Sequence, residues 1–403
     1  MKQQSFADLG VSSAVAGALS RRGIEEPFAV QRLVLGDILA GRDVLVKSPT
    51  GSGKTLAFGI GLVERIEADE RVPARPVALV LAPTRELASQ IVRELDDVAQ
   101  ARKLRVTAVY GGVGLTAQAT RAARSHILVA TPGRLEDLLQ RGAFTLDAIK
   151  ILILDEADRM LDMGFRPAID RIVKACPAAR QTLFFSATLD GVAGRLADQY
   201  TSKAVRHESG TPGVSATKQV EHRFVAVREN GRVEALLTEL GRERERTLVF
   251  VRTKRGADRL VKRLGADGVE ALAIHGNKSQ RQREQALSRF QSGRVDTLVA
   301  TDVAARGIDV DGISHVINYD PPGDHEVYIH RIGRTGRAGR RGVGITLVGA
   351  GDHQEMSQLA GRLGLRQEFG GAGDRQPHQP ARQPGAASRR TPPRRRRRSQ
   401  GIG

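Results

Sequence analysis

The chain has 403 residues, 40% hydrophobic and 27% charged, so it can bury a core and is neither wholly disordered nor fibrous. Its 63 Lys and Arg against 45 Asp and Glu leave a net charge of +18, which points to a polyanionic partner, nucleic acid before an acidic membrane surface. No apolar run approaches the ~18 residues of a membrane span, no signal peptide is visible, and the lone Cys176 excludes an internal disulfide or a cysteine-based zinc site. A reducing, cytoplasmic setting fits.

In chain order, Val44–Lys47, Val77–Ala82, Arg105–Tyr110, Ile127–Ala130, Ile151–Asp155 and Thr182–Ser186 read as buried strands. Helical patterns such as Arg85–Ala101, Arg134–Arg141 and Arg166–Ala175 fall between them. This alternation predicts a parallel sheet covered on both faces. The polar stretch Arg206–Lys218 has turn formers and no apolar period, so it reads as a linker. Strand candidates then restart at Thr247–Val251, Val269–Ile274, Thr297–Ala300, His315–Asn318 and Gly344–Val348. The expected organisation is α/β: a first domain over residues 1–205, a linker over 206–218, a second domain over 219–369 and a basic tail over 370–403. The tail holds nine Arg and one Asp without aromatics or periodicity, a composition that predicts disorder.

The strongest local signal is Ser48-Pro-Thr-Gly-Ser-Gly-Lys-Thr55, directly after a strand. A glycine-rich turn into a helix start aims backbone N–H groups at phosphates. Thr50, Gly51, Ser52 and Gly53 would form the cradle, Lys54 would reach the β- and γ-phosphates, and the Thr55 hydroxyl would sit on Mg²⁺. Ser48 stands where the general pattern has its first Gly. The run Ile151-Leu-Ile-Leu-Asp155-Glu156-Ala-Asp158 is an apolar strand ending in carboxylates, and ligands of open α/β sheets bind at such strand ends. Asp155 would hold Mg²⁺ through water, and Glu156 would orient and deprotonate the attacking water.

Together these residues resemble the DEAD-box RNA helicases of helicase superfamily two. The resemblance runs from Phe6 to about Val348. Its motifs stand in the family's order: Phe6 with Gly23–Gln31 as the adenine-reading Q motif, the phosphate loop, Pro83–Ala88, Gly111-Gly112, Thr131–Arg134, Asp155–Asp158 and Ser186-Ala-Thr188. The second half continues with Val249–Thr253, Gln280–Arg283, Ala300–Asp309 and His330–Arg337. A compact core with a short basic tail is similar to the bacterial RhlE-type subgroup. The family implies two tandem RecA-like domains with parallel sheets that close around ATP and RNA. Phe28 replaces the Q motif's usual Thr and its hydroxyl contact to the phosphate loop, while Gln31 keeps the amide that suits adenine.

By the same resemblance, Arg334 and Arg337 are arginine fingers, and Asp309 contacts the ribose or a phosphate-side water. Asp158, Ser186, Thr188 and His330 couple the two sites. RNA would be gripped by Arg85, Gly112, Thr131, Gly133 and Arg134 from the first domain, and by Thr253, Gly276, Arg283, Thr301 and Asp302 from the second. Such small residues and helix starts hold sugar-phosphate without reading bases. Arg85 has an alternative as a helix-surface partner of Glu86 or Asp97. His275 reads as packed beside the RNA groove rather than as a metal ligand, and Met160 and Met163 as core residues. The implied activity is ATP-dependent local unwinding of RNA by a monomeric core, with ribosomal or RNA-decay assemblies as partners and no membrane role. An ATP-gated RNA clamp or assembly scaffold and a DNA helicase are the rival readings.

Overall fold

The computed structural model describes residues 4–48, 52–68, 75–189, 191–209, 220–305, 310, 312–336 and 340–370. Thr50, Gly51, Asp309, Arg337, residues 210–218 of the expected linker and the tail beyond residue 370 lie outside the described residues.

Two parallel sheets organise the chain. In the first, β1 (Val44–Lys47), β2 (Ala78–Leu81), β3 (Val106–Val109), β4 (Ile127–Ala130), β5 (Ile151–Leu154), β6 (Gln181–Ser186) and β7 (Val205–Glu208) lie in the order β3-β4-β2-β5-β6-β1-β7. In the second, β8 (Val220–Val227), β9 (Arg246–Phe250), β10 (Ala271–Ile274), β11 (Thr297–Ala300), β12 (Ile313–Asn318) and β13 (Gly342–Gly349) lie in the order β10-β11-β9-β12-β13-β8.

The strand residues alternate between two cores, as the period of two requires. Val44, Ala78, Val80, Ile151 and Ile153 face one apolar cluster of the first domain. Leu45, Leu79, Leu81, Leu152 and Leu154 face the other. The second sheet divides likewise, with Leu248 and Phe250 on one face and Val249 and Val251 on the other. Helices complete each layer. Arg85–Ala101 buries Leu87, Ala88, Ile91, Leu95 and Val98 along one stripe. Its N-cap Thr84 accepts a hydrogen bond from the Leu87 N–H and stops the helix there.

Two expectations shift. The linker does not begin at Arg206, because β7 pairs with β1 over Val205–Glu208. Its side chains alternate between half-buried and exposed, so an edge strand carries as much polarity as a linker would. Strand β8 was hidden for the same reason: Val220–Val227 buries only alternate positions, and Glu221 and Arg223 interrupt its apolar signal.

Candidate nucleotide and nucleic-acid site

Every strand of the first sheet runs the same way, so the loops after the strands share one edge. The strand order splits that edge. The adjacent strands β1, β6 and β5 present the phosphate loop, Ser186-Ala-Thr188 and Asp155–Asp158 side by side, with Lys47 in register with Ser186 and Leu154 with Phe184. The adjacent strands β3, β4 and β2 present Gly111-Gly112, Thr131–Arg134 and Thr84-Arg85. One group of strand ends thus carries the expected nucleotide residues and the other the expected RNA residues.

On the nucleotide side, Gly53 has φ +89° and caps the helix Lys54–Arg65. A Cβ there would lie 2.7 Å from the Phe28 ring and 3.1 Å from the Gln31 amide. Phe28 therefore lies on the loop end, an apolar contact in place of the absent hydroxyl. Gln31 is wholly buried. Its Oε1 accepts from the Phe28 N–H at 2.9 Å, and its Nε2 donates to the Gly53 carbonyl at 3.2 Å. The Q-motif glutamine thus ties its own helix start to the phosphate loop. Phe6 is packed into the first apolar cluster, 3% exposed. Lys54 is buried, its Nζ donating to the Ser48 carbonyl at 2.8 Å, and Ser52 bonds Ser48 at 2.7 Å. Thr55, half-buried, follows in the first turn of the helix.

Asp155 and Glu156 close this half. Burial pushes the Asp155 carboxyl up to about 7, although Lys54 pulls it back. Such a carboxylate needs a cation beside it to stay ionised at neutral pH. Glu156 takes the left-handed conformation, φ 50° and ψ 51°, which only a few per cent of non-glycine residues adopt. Burial would raise its proton affinity, but Arg159, Arg334 and Lys54 together hold it below the usual carboxylate range. Arg159 donates to it directly. Arg334 comes from the second domain, so a residue expected to act across the cleft is felt at the expected base.

Asp158 is held as a hub. The Ala187 and Thr188 N–H groups donate to its Oδ2 at 3.0 and 3.1 Å, and its own N–H donates to the Ser186 hydroxyl at 3.3 Å. His330 of the second domain senses it too: burial lowers the His330 proton affinity while Asp158 raises it. The four expected coupling residues are thereby brought together.

On the other side, Arg85 does not pair with Asp97. Its guanidinium lies over the glycine turn, where a Cβ on Gly112 (φ +84°) would fall 2.1 Å from Nη1. Arg134 braces the same turn, donating to the Val113 carbonyl and the Gln118 amide, both at 3.1 Å. Thr131 caps the helix Pro132–Gln140, and Gly133 is exposed on its first turn. From the second sheet, β10, β11 and β9 are likewise adjacent and deliver Gly276, Thr301 and Thr253 to one edge. Gly276 and Thr253 are exposed, and Thr253 caps the helix Lys254–Ala266. His275 is buried with Nε2 3.0 Å from Asp258, and Met160 is a core residue while Met163 is half-buried.

Two expected RNA contacts also have protein partners. Arg283 reaches across to the first domain and pairs with Glu86 at 2.9 Å, both side chains nearly buried. Asp302 is locked by Arg331 in a bidentate pair at 2.6 and 2.7 Å. Arg331 also donates to Asn318 and the Asp320 carbonyl, and its guanidinium lies 5.0 Å from the Phe250 ring centroid. From sequence, Arg331 has no role and Glu86 only that of an alternative partner for Arg85. For Arg331 a signal existed, since three arginines within seven residues leave one free for structure; for Glu86 there was none.

Among the described residues no group of three or more His, Cys, Asp or Glu could hold a metal by itself, and no helix is long and apolar enough to cross a membrane. One buried carboxylate and one hydroxyl suit a Mg²⁺ that takes its other ligands from phosphate and water.

A DEAD/DEAH box helicase family model matches residues 28–195, and a helicase conserved C-terminal domain model matches residues 231–339. The ATP-dependent RNA helicase CshA of Limosilactobacillus reuteri is 41% identical over 348 residues, 85% of this chain and 69% of that one. The structure of S. cerevisiae Dbp5 bound to RNA and ADP BeF3 superimposes with a TM-score of 0.80 at 29% identity, over 90% of this chain and 94% of that one. A DEAD box protein from Methanococcus jannaschii, 36% identical over 90% of this chain and 97% of that one, gives a TM-score of only 0.53. Motif order, split sheet edges and relatives agree, and the chain belongs to the DEAD-box helicase family.

Proposed function

We propose that this chain is an ATP-dependent RNA helicase in which domain closure assembles one ATPase site and one single-strand RNA site. The observation that carries the reading is that the charge of Arg334 in the second domain acts on Glu156 of the first, while Gly112 and Thr131 stand on the neighbouring strand ends of the same sheet. Relatives named as ATP-dependent RNA helicases support it.

In this reading the loop from Thr50 to Thr55 binds the ATP phosphates, with Lys54 leaving the Ser48 carbonyl for them. Phe6 and Gln31 shape the adenine end, and Asp309 meets the ribose side. Thr55, and Asp155 through water, would hold a Mg²⁺, which would supply charge neutralisation at the phosphates. Glu156 positions and deprotonates the attacking water. Arg334 and Arg337 stabilise charge on the transferred phosphoryl group, a transition-state effect that needs the closed cleft. Water is the nucleophile, so no covalent intermediate forms.

The RNA backbone lies across Arg85, Gly112, Thr131, Gly133 and Arg134, and continues over Thr253, Gly276 and Thr301. Arg283 and Asp302 act by holding Glu86 and Arg331 rather than by touching RNA. ATP and RNA both favour the closed form, a population shift. A duplex that cannot follow the closed site loses one strand locally. The proposed setting is the cytoplasm.

Strand displacement with matched RNA and DNA duplexes, with and without ATP, tests this reading. ATP-dependent displacement of RNA is expected. Equal activity on all-DNA duplexes would overturn the RNA assignment, and stimulated hydrolysis without displacement would favour a clamp.

A further inference from the structure

The second sheet has an unused crevice. The helix after β9, Lys254–Ala266, packs on one face with Leu260 and Leu264. The helix after β12, His325–Ile332, packs on the other with Tyr328 and Ile332. β9 and β12 are neighbours, so the chain leaves them in opposite directions. In open α/β sheets a cleft at such a reversal, outside the carboxyl ends of the strands, is where ligands bind. A cleft of about 430 Å³ lies there, within the ~300–1,000 Å³ of small-ligand sites.

Its lining pairs an apolar floor with a cationic rim. Val251 and Leu260 are buried and Tyr319 half-buried. Arg252 and Arg259 are exposed on the rim. Neither forms an ion pair among the described residues, whereas Arg263 beside them is spent on Asp267 at 3.0 Å. The one carboxylate in the lining, Asp320, is already neutralised: it accepts from the Arg252 N–H at 2.7 Å and from Arg232 at 3.1 Å. A flat aromatic or heterocyclic group with an attached anion fits this combination, since a ring stacks on Tyr and a phosphate seats between guanidiniums.

The cleft also continues the expected RNA path. Thr253 lines it. Lys254, the next residue, lies on the other side of the turn, its Nζ 3.0 Å from Asn277 and its side chain against Gly276. A strand passing Gly276, Lys254 and Thr253 runs directly into the cleft. We propose that this cleft receives one nucleotide of single-stranded RNA lying beyond the clamp, its base against Tyr319 and its phosphate at Arg252 and Arg259. The inference rests on the RNA reading above and extends it, giving the second domain a hold on flanking RNA that the ATPase site does not require.

The test compares two labelled oligouridines, one of about 6 nucleotides that fills only the clamp and one of about 20, bound to the full chain with ADP-BeF3. Arg259→Glu repels the phosphate and so lifts the attached base off Tyr319, which should weaken the long RNA by about 5- to 100-fold, the range for losing one stacked base, and the short RNA by less than about 2-fold. Lys262→Glu makes the same charge change on the same helix outside the cleft and should leave both affinities within about 2-fold. A 4-thiouridine placed outside the clamp should crosslink to the peptide containing Tyr319, and Arg259→Glu should abolish that crosslink. Equal losses from the two variants, or equal losses on both RNA lengths, would overturn the cleft while leaving the RNA reading intact. Failure of the unaltered chain to bind either oligonucleotide would overturn both.

Discussion

The bridge between Arg283 and Glu86 gives closure a single removable contact. Two unit charges at 2.9 Å attract by about 6 kcal/mol at an effective dielectric of ~20. Desolvation opposes this with several kcal/mol per ion. Among the described residues, Glu86 Oε1 and Arg283 Nε are buried without hydrogen-bond partners, so the pair is incompletely satisfied. The net coupling should be about 1.5–3 kcal/mol, the range of charge-assisted hydrogen bonds. Removing one partner costs more than that net value, because the other charge stays buried in the closed form. Glu86→Gln should therefore cost closure about 3 kcal/mol, roughly 10²-fold in RNA affinity measured with ADP-BeF3. The bridge joins the two domains and belongs to neither core, so thermal stability should barely change. Combining Glu86→Gln with Arg283→Met should recover part of the loss. A double-mutant cycle on RNA affinity isolates the coupling. Strictly additive losses would refute the bridge and return Arg283 to direct RNA contact.

Glu156→Gln keeps the side chain's size and should bind ATP and RNA while losing about 10²–10⁴-fold in turnover; single-turnover hydrolysis at the normal rate would remove Glu156 from the chemistry. Gly112→Ala puts a Cβ 2.1 Å from Arg85 Nη1 at φ +84°, so it should cost about 1–2 kcal/mol of stability and weaken RNA about 10-fold by displacing Arg85, read by melting and RNA titration. Asp302→Ala strands the buried Arg331 charge and should cost about 3–5 kcal/mol, lowering the second domain's melting transition by on the order of 10 °C. Weaker RNA binding at an unchanged transition would instead make Asp302 an RNA contact.

The nucleotide half of the site was legible because its residues are consecutive. Ser48–Thr55 and Asp155–Asp158 each follow an apolar strand, and strand ends decide where loops go. The helices Arg85–Ala101 and Arg166–Ala175 could be read to the residue from their apolar stripes. Edge strands β7 and β8 could not, since one polar face mimics a linker. Arg283 and Asp302 were assigned from motif position, which says that a residue matters but not whom it touches. Arg283 meets a partner 197 positions earlier and Asp302 one 29 positions later. Such pairings are set by tertiary closure, which periodicity does not encode. Gln31 shows the same limit: its amide suits adenine, yet within the protein it bonds Phe28 and Gly53.

The central claim is that ATP and RNA jointly close the two domains. Cys176, the chain's single Cys, is buried, so cysteines introduced at the exposed positions Asp96 and Gln285 can carry a fluorescent pair, one dye on each domain. Energy transfer should stay low with ADP-BeF3 alone or single-stranded RNA alone and rise only when both are present, and Glu86→Gln should shift that rise to higher RNA concentration. Full transfer with either ligand alone, or none with both, would contradict the account.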